Sequence, residues 1–313
     1  SKANLEFFNS KITDIKKIIW KLKKIEIFTD NLKNEKLINF ENQNNELFSI
    51  LKNYNLFQLL EKNLSQNKYF NKISFNENLS FLKNYDLIIN TDYSNIITKK
   101  YFSKKIVKKY ECHAYTTIIR HHKIKNDIAT QIFTKKGPLA FLPVSTNETS
   151  VVYSIHFSKN KKKDNIEDLI KNYNPKYKIK KIEKIESFEL KSLNLRSYYH
   201  NNILAFGDLL HRIHPLAGQG FNMTIRDIRT LVNIIKNKLN LGLPIDSSVN
   251  KEFENSSRHK NYIFSSGVDL VHEFFNFERK INTKVLSKSV KIIAKSPYIN
   301  KLLINFADKG IVI

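Results

Sequence analysis

The residues most able to do chemistry lie in Gly207-Asp208-Leu209-Leu210-His211-Arg212-Ile213-His214-Pro215-Leu216-Ala217-Gly218-Gln219-Gly220-Phe221-Asn222-Met223, continuing to Arg226-Asp227. An apolar run delivers the Asp208 carboxylate, an irregular loop follows, and Gly218-Gln219-Gly220 opens a helix. Glycine lets a flat ligand approach the backbone with no Cβ in the way. The first N–H groups of a helix lack intrahelical acceptors and form the positive end of its dipole. Such a start favours negative charge on a ligand held against it. An ordinary strand-loop-helix connection is the plain alternative. A zinc ion between His211 and His214 is the other, but the sequence offers no thiol or carboxylate set to complete four ligands, so no metal is expected.

The elements that position this segment follow from hydrophobic patterning. Asp86-Leu87-Ile88-Ile89-Asn90-Thr91-Asp92 and Ile203-Leu204-Ala205-Phe206-Gly207-Asp208 are short apolar runs without polar alternation. That pattern suits strands buried on both faces of a mostly parallel sheet, whose ligands sit beyond the carboxyl ends of the strands, where Asp92 and Asp208 fall. Leu47, Ile50, Leu51, Tyr54, Phe57, Leu60 and Leu64 recur at helical spacing and predict a flanking helix. From about Tyr110 to Ile185 the character changes. Ala114–Ile119 and Ser150–Ile155 are rich in β-branched and aromatic residues and separated by polar turns, which predicts a second, antiparallel sheet. The pairs Ile25–Phe28 and Leu37–Phe40 are expected to join it, interleaving two domains. After Asp227 the pattern is helical, with Pro244 and Pro297 as breaks.

The Gly207–Met223 segment resembles the second flavin-binding motif of the FAD-dependent aromatic-ring hydroxylases: Gly-Asp, then His, then Pro-x-x-Gly-Gln-Gly-x-Asn and a later Asp. Its His-Pro-Leu-Ala-Gly-Gln-Gly form is similar to the ubiquinone-biosynthesis branch. The resemblance implies that Asp208 bonds the ribityl chain of FAD and that Pro215 lies by the flavin ring. It also implies that Gly218, Gln219, Gly220, Phe221, Asn222 and Met223 line the ring's pyrimidine edge, where a reduced flavin develops negative charge. His211 falls on the motif's His. A second match covers Phe133-Thr134 and Gly137-Pro138-Leu139-Ala140-Phe141-Leu142-Pro143, which resembles a turn of the family's substrate-side sheet. A third places Asp92 on the family's Gly-Ala-Asp-Gly-x-x-Ser motif, with Tyr93 where a Gly is usual and Lys99 where an Arg is usual. A bulky Tyr93 is expected to weaken contacts near the pyrophosphate or the reductant.

The implied fold is α/β: a Rossmann-like FAD-binding domain of the para-hydroxybenzoate-hydroxylase type (1–20, 45–100 and 187–250), interleaved with an antiparallel substrate-side sheet (21–44 and 101–186), and a helical C-terminus (251–313). The implied activity is hydroxylation of the ring of a polyprenylated phenol in ubiquinone biosynthesis through a flavin C4a-hydroperoxide. FAD is the cofactor, O2 the co-substrate, and NAD(P)H or another reductant the electron donor. No catalytic base can be assigned, although Tyr110, Tyr115 and the His121-His122 pair lie in the substrate-side region. The family's opening Gly-x-Gly-x-x-Gly unit has no counterpart in these residues, so the complete gene product is expected to carry a preceding βαβ segment, and residues 1–313 alone to bind FAD poorly. The alternatives are a flavin monooxygenase acting on another aromatic or isoprenoid substrate and a non-catalytic paralogue within a quinone-synthesis assembly.

Composition narrows the partners. The net charge is +24, from 53 Lys plus Arg against 29 Asp plus Glu, yet the basic residues are dispersed and no nucleic-acid-binding signature accompanies them, so nucleic acid is not expected as a partner. Lys and Asn are abundant throughout, as in a compositionally biased genome. The single Cys112 cannot form an internal disulfide, which suits the cytoplasm. The stretch from Lys280 to Ala307 alternates apolar residues with lysines. It is expected either to pack on the flavin domain or to rest peripherally on the inner membrane.

Overall fold

In the computed structural model the described residues are 1–30, 36–41, 46–74, 79–156, 165–215, 218–281 and 296. They divide into two compact units. The larger contains Ser1–Gln66 and Tyr110–Leu190, and the second contains Asn67–Lys109 and Lys191–His272.

The larger unit starts with α1 (Lys2–Phe7), capped by the Ser1 side chain and continued by a π-helical turn to Ile12. Then come β1 (Ile19–Leu22), β2 (Lys24–Thr29), β3 (Lys36–Glu41), β4 (Phe48–Leu51) and α2 (Asn53–Ser65). In the second unit β5 (Ile88–Asn90) and α3 (Ile96–Tyr101) lead into the 17-residue β6 (Lys105–His121), which enters the larger unit. There it is followed by β7 (Ile128–Thr134), β8 (Gly137–Pro143), β9 (Glu148–His156), α4 (Ile166–Asn172) and β10 (Ile179–Ile182). The chain returns through β11 (Glu186–Leu195) to the second unit, with β12 (Tyr199–His200), β13 (Ile203–Ala205), β14 (His211–Arg212), α5 (Gln219–Asn240) and α6 (Ser247–Ile281).

The sheet of the larger unit runs β11-β6-β9-β8-β7-β2-β3, with β10 paired to the end of β6. Pairings β6–β9, β9–β8, β8–β7 and β2–β3 are antiparallel, as the alternating patterns predict. β2 does join this sheet, but parallel to β7, because it arrives from far upstream and not through a hairpin. Along β8, buried and half-buried residues alternate strictly. Its buried Leu139 and Phe141 meet Ile119, Val151 and Tyr153 of neighbouring strands and Ile170 of α4. Each such side chain contributes roughly 1.5–3 kcal/mol by leaving water.

Two expectations change in position. The helix predicted from Leu47 begins only at Asn53, because Phe48–Leu51 is a strand paired with Ile19–Leu22. So short a segment fits either state, and here a strand partner decides it. Residues 1–66 stay with the sheet unit, to which β2 ties them through β7, while residues 101–109 and α6 as far as His272 fall in the second. This differs from the partition read from sequence.

In the second unit, β13 and β5 are parallel neighbours in the order β12-β13-β5, as the two apolar runs imply. Ile203, Leu204 and Ala205 are all buried. They share a core with Leu209, Leu210 and Tyr198, and with Leu231 of α5 and Val249 and Phe253 of α6. Pro244 lies between α5 and α6. Pro297 and the basic amphipathic stretch beyond residue 281 lie outside the described residues. Among the described residues no helix is long and apolar enough to cross a membrane.

Candidate functional site

The register Ile203↔Ile88, Leu204↔Ile89, Ala205↔Asn90 aligns the carboxyl ends of β13 and β5. Asp208 and Asp92 therefore follow the same end of one parallel pair, and both are exposed. Asp208 sits in a tight 3-10 turn, Gly207–Leu209, that starts from Gly207 at φ +65. Asp92 accepts from the Ser94 backbone N–H and hydroxyl, both at 2.7 Å. These two bonds, the backbone one first, hold its carboxyl below the usual carboxylate range.

Behind Asp92 the turn is built from side chains. Asn95 accepts from the Thr98 N–H at 2.9 Å, capping α3, and donates to Asn90 at 2.8 Å, while Asn90 donates to the Thr98 hydroxyl at 2.8 Å. Tyr93 is 62% exposed, and the Arg212 guanidinium lies 5.4 Å from its ring centroid. The bulky residue at the family's glycine position thus makes a cation–π contact with the segment that follows Asp208. Nothing in the sequence pattern pointed to Arg212.

The second half of the site begins at Gly218, which caps α5 at φ +61, ψ +31 without a side-chain hydrogen bond. This left-handed conformation is costly for any residue with a Cβ. A Cβ added to Gly218 meets no atom within 4 Å, and the same holds at Gly207. Both glycines therefore border open space. Gln219 follows, and its side-chain oxygen Oε1 is buried with no hydrogen-bond partner among the described residues. An acceptor left this way costs about 1–3 kcal/mol, so a donor belonging to a ligand has a ready place.

The expected ring-lining residues separate by exposure. Pro215, Gln219, Gly220 and Asn222 are half-buried, Gly218 is exposed and Phe221 is 47% exposed. Met223 is fully buried and belongs to the packed face of α5 with Ile225 and Leu231. Leu216 and Ala217 lie outside the described residues. His214 is buried, its ring 4.3 Å from that of His272. His211 is buried too, and its Nε2 lies 2.6 Å from Asp227 Oδ2.

Open space at two glycines, an uncapped helix start, an unsatisfied amide oxygen and a nearby exposed carboxylate fit the flavin end of FAD. A flavin is flat, carries a ring N–H donor, gathers negative charge on one edge when reduced, and bears a polyhydroxyl chain. The described residues include no glycine-rich turn for the pyrophosphate.

In the substrate-side unit, Tyr110 and His121 are buried and Tyr115 is half-buried. Both nitrogens of His121 are engaged, Nδ1 with the His122 carbonyl at 2.8 Å and Nε2 with the Thr149 hydroxyl at 3.0 Å. Its surroundings hold Asn126 and Tyr177, whose ring is 4.5 Å from the imidazole. This is an internally satisfied polar cluster.

Comparisons with known proteins agree with this geometry. Residues 106–241 match the family model described as an FAD binding domain. The chain is 23% identical over 273 residues to the mitochondrial ubiquinone biosynthesis monooxygenase COQ6 of Schizosaccharomyces pombe, an alignment covering 72% of this chain and 57% of that protein. It is 29% identical over 157 residues to the 3-demethoxyubiquinol 3-hydroxylase of Escherichia coli, covering 48% of this chain and 40% of the relative. The chain thus spans about half the length of these curated relatives. Among solved structures, p-nitrophenol 4-monooxygenase PnpA of Pseudomonas putida superposes with a TM-score of 0.76 at 11% identity, over 98% of this chain and 86% of the other. That likeness establishes the fold.

Proposed function

We propose that this chain, which resembles FAD-dependent aromatic-ring hydroxylases of ubiquinone biosynthesis, is part of a protein that hydroxylates the ring of a polyprenylated phenol. The observation that carries this reading is the Gly218–Gln219 turn, with a left-handed glycine facing open space and a buried amide oxygen awaiting a donor. When bound, FAD supplies the reductive activation of dioxygen and the transfer of one oxygen atom to an electron-rich ring.

The chain's own residues bind and orient. Asp208 accepts from hydroxyls of the ribityl chain, Pro215 flanks the ring, and Gly218 lets the backbone approach it. Gln219 Oε1 accepts a ring N–H, and the start of α5, at Gly220 to Asn222, favours negative charge on the ring's edge. Met223 supports these contacts from the core side. Asp92, in the turn after β5, serves the phosphate or reductant side, with NAD(P)H or another reductant as electron donor. The charge of +24 supports a peripheral contact with the anionic membrane that carries a prenylated substrate, alongside other proteins of the same synthesis.

The test is to supply the full-length protein with FAD, a reductant, heavy-isotope dioxygen and a prenylphenol. The expected product carries one labelled oxygen on the ring. Reductant consumption with no labelled product for any prenylphenol would overturn the substrate class. Tyr93 at the glycine position favours a second reading, a non-catalytic subunit, for which the full-length protein takes up no flavin.

A further inference from the structure

A buried polar circuit lies behind the flavin-facing loop, and the functions assigned above make no use of it. Asp227, two turns into α5, accepts from His211 Nε2 on one carboxylate oxygen at 2.6 Å and from Asn261 Nδ2 of α6 on the other at 3.0 Å. All three side chains are buried. His211 is paired in register with Asn194 of β11, and Ser265, one turn beyond Asn261, donates to the Asn194 side chain at 3.3 Å. The circuit therefore joins β11, β14, α5 and α6, within the unit that also holds the apolar cluster around Leu204 and Phe253.

A carboxylate with both oxygens accepting is satisfied as the ionised form, which assigns the shared hydrogen to His211 Nε2. Burial, and then the Asp227 charge, raise the neighbouring Tyr198 hydroxyl well above its usual pKa. Burying such a group adds little net stability compared with apolar packing, and its best-attested use is to fix register.

The register it fixes is that of the candidate site. His211 follows Asp208 by three residues, and Asp227 follows Gly218 by nine. One hydrogen bond across 16 residues of sequence closes the segment that contains the Gly218 turn, and its His211 end lies three residues after Asp208. We propose that Asp227 and His211 are positioning residues for the flavin: their bond holds the Asp208 turn and the Gly218 turn at the separation that one flavin must span. This rests on the flavin reading above.

Asp227→Asn in the full-length protein is the primary test, since it keeps the volume and can keep the Asn261 contact while removing the charged acceptor from His211. Three quantities are compared with wild type: thermal stability without flavin, hydrogen exchange of the amides Gly218–Asn222 without flavin, and FAD affinity by fluorescence titration. Loss of a charge-assisted bond predicts affinity lowered roughly ten- to a hundred-fold. Amide exchange at Gly218–Asn222 should be faster, and melting should shift by only a few degrees, ~2–4 °C. Asp227→Glu should recover part of the affinity.

A variant that melts earlier but binds FAD with wild-type affinity and shows wild-type exchange at Gly218–Asn222 would overturn the proposal, leaving a purely structural pair. If Asp227→Asn does not fold, His211→Phe, which keeps a ring in place but removes the donor to Asp227, takes its place with the same expectations. If wild type itself binds no FAD, the flavin reading fails, while unchanged exchange in the variant is what removes the positioning role.

Discussion

Two glycines with left-handed backbone, one in each unit, carry out opposite tasks. Gly137 has φ +141, and a Cβ added there would collide with the carbonyl oxygen of Ser154 on the neighbouring strand. Gly218 has φ +61 and nothing within 4 Å of that position. The first is a glycine because protein already fills the space. The second is a glycine although no atom of the described residues does, and Oε1 of its neighbour Gln219 is buried with no hydrogen-bond partner among them. Polar groups around Gly137 are closed among themselves: the Thr134 hydroxyl donates to the Gly137 carbonyl at 2.8 Å and lies 2.8 Å from the Tyr153 hydroxyl. One turn is closed by protein, whereas the other borders open space among the described residues.

Substitutions can break this comparison. Gly137→Ala carries the largest expected effect, about 4 kcal/mol of lost stability, from forced backbone displacement together with a conformation nearly reserved for glycine. Urea denaturation measures it, and a loss below about 1 kcal/mol would mean the turn is not closed as described. Asn126→Ala comes next. Its side chain donates to the Ser145 carbonyl at 2.8 Å and the Thr149 hydroxyl at 3.0 Å and accepts from the Tyr177 hydroxyl at 3.2 Å. Leaving these buried groups unpaired costs roughly 3 kcal/mol, read by the same denaturation.

Gly218→Ala sharpens the contrast. Its stability cost is only about 1–2 kcal/mol, from left-handed strain alone, because the new methyl meets nothing. Its FAD affinity is expected to fall by about ten-fold or more, since that methyl occupies the ligand's space. The smallest effect concerns Asp92. Its folded pKa is depressed by the two Ser94 bonds, so their contribution is complete above the unfolded carboxylate value and fades as pH falls through the folded one. Ser94→Ala should move the Asp92 titration upward, seen by carboxyl NMR, with no measurable change in stability at neutral pH.

The sequence displays local periodicity well and distant polar contacts hardly at all. Both strands leading to Asp92 and Asp208, and their parallel pairing, were legible as uninterrupted apolar runs, although only β13 is buried on both faces, Ile89 of β5 being exposed. The antiparallel β6 to β9 region showed itself through β-branched alternation. Phe48–Leu51 read as helix, since the three apolar residues Phe48, Ile50 and Leu51 fit either period until a partner strand is known. His211 and Asp227 were each visible as motif positions, but no spacing rule joins residues 16 apart across a loop. Asn126 and Tyr177, 51 residues apart, left no trace for the same reason. Arg212 over Tyr93 is likewise a contact that only folding creates.

The central claim is that the segment from Asp208 to Asn222 holds the ring end of FAD, and the most direct measurement is the visible absorption spectrum of the purified full-length protein, compared with Gly218→Ala. The account predicts a flavin spectrum whose released chromophore is FAD, and a variant that is folded but largely flavin-free until FAD is added in excess. A folded wild-type protein that stays colourless with excess FAD, or a Gly218→Ala variant that retains a full complement of flavin, would contradict it.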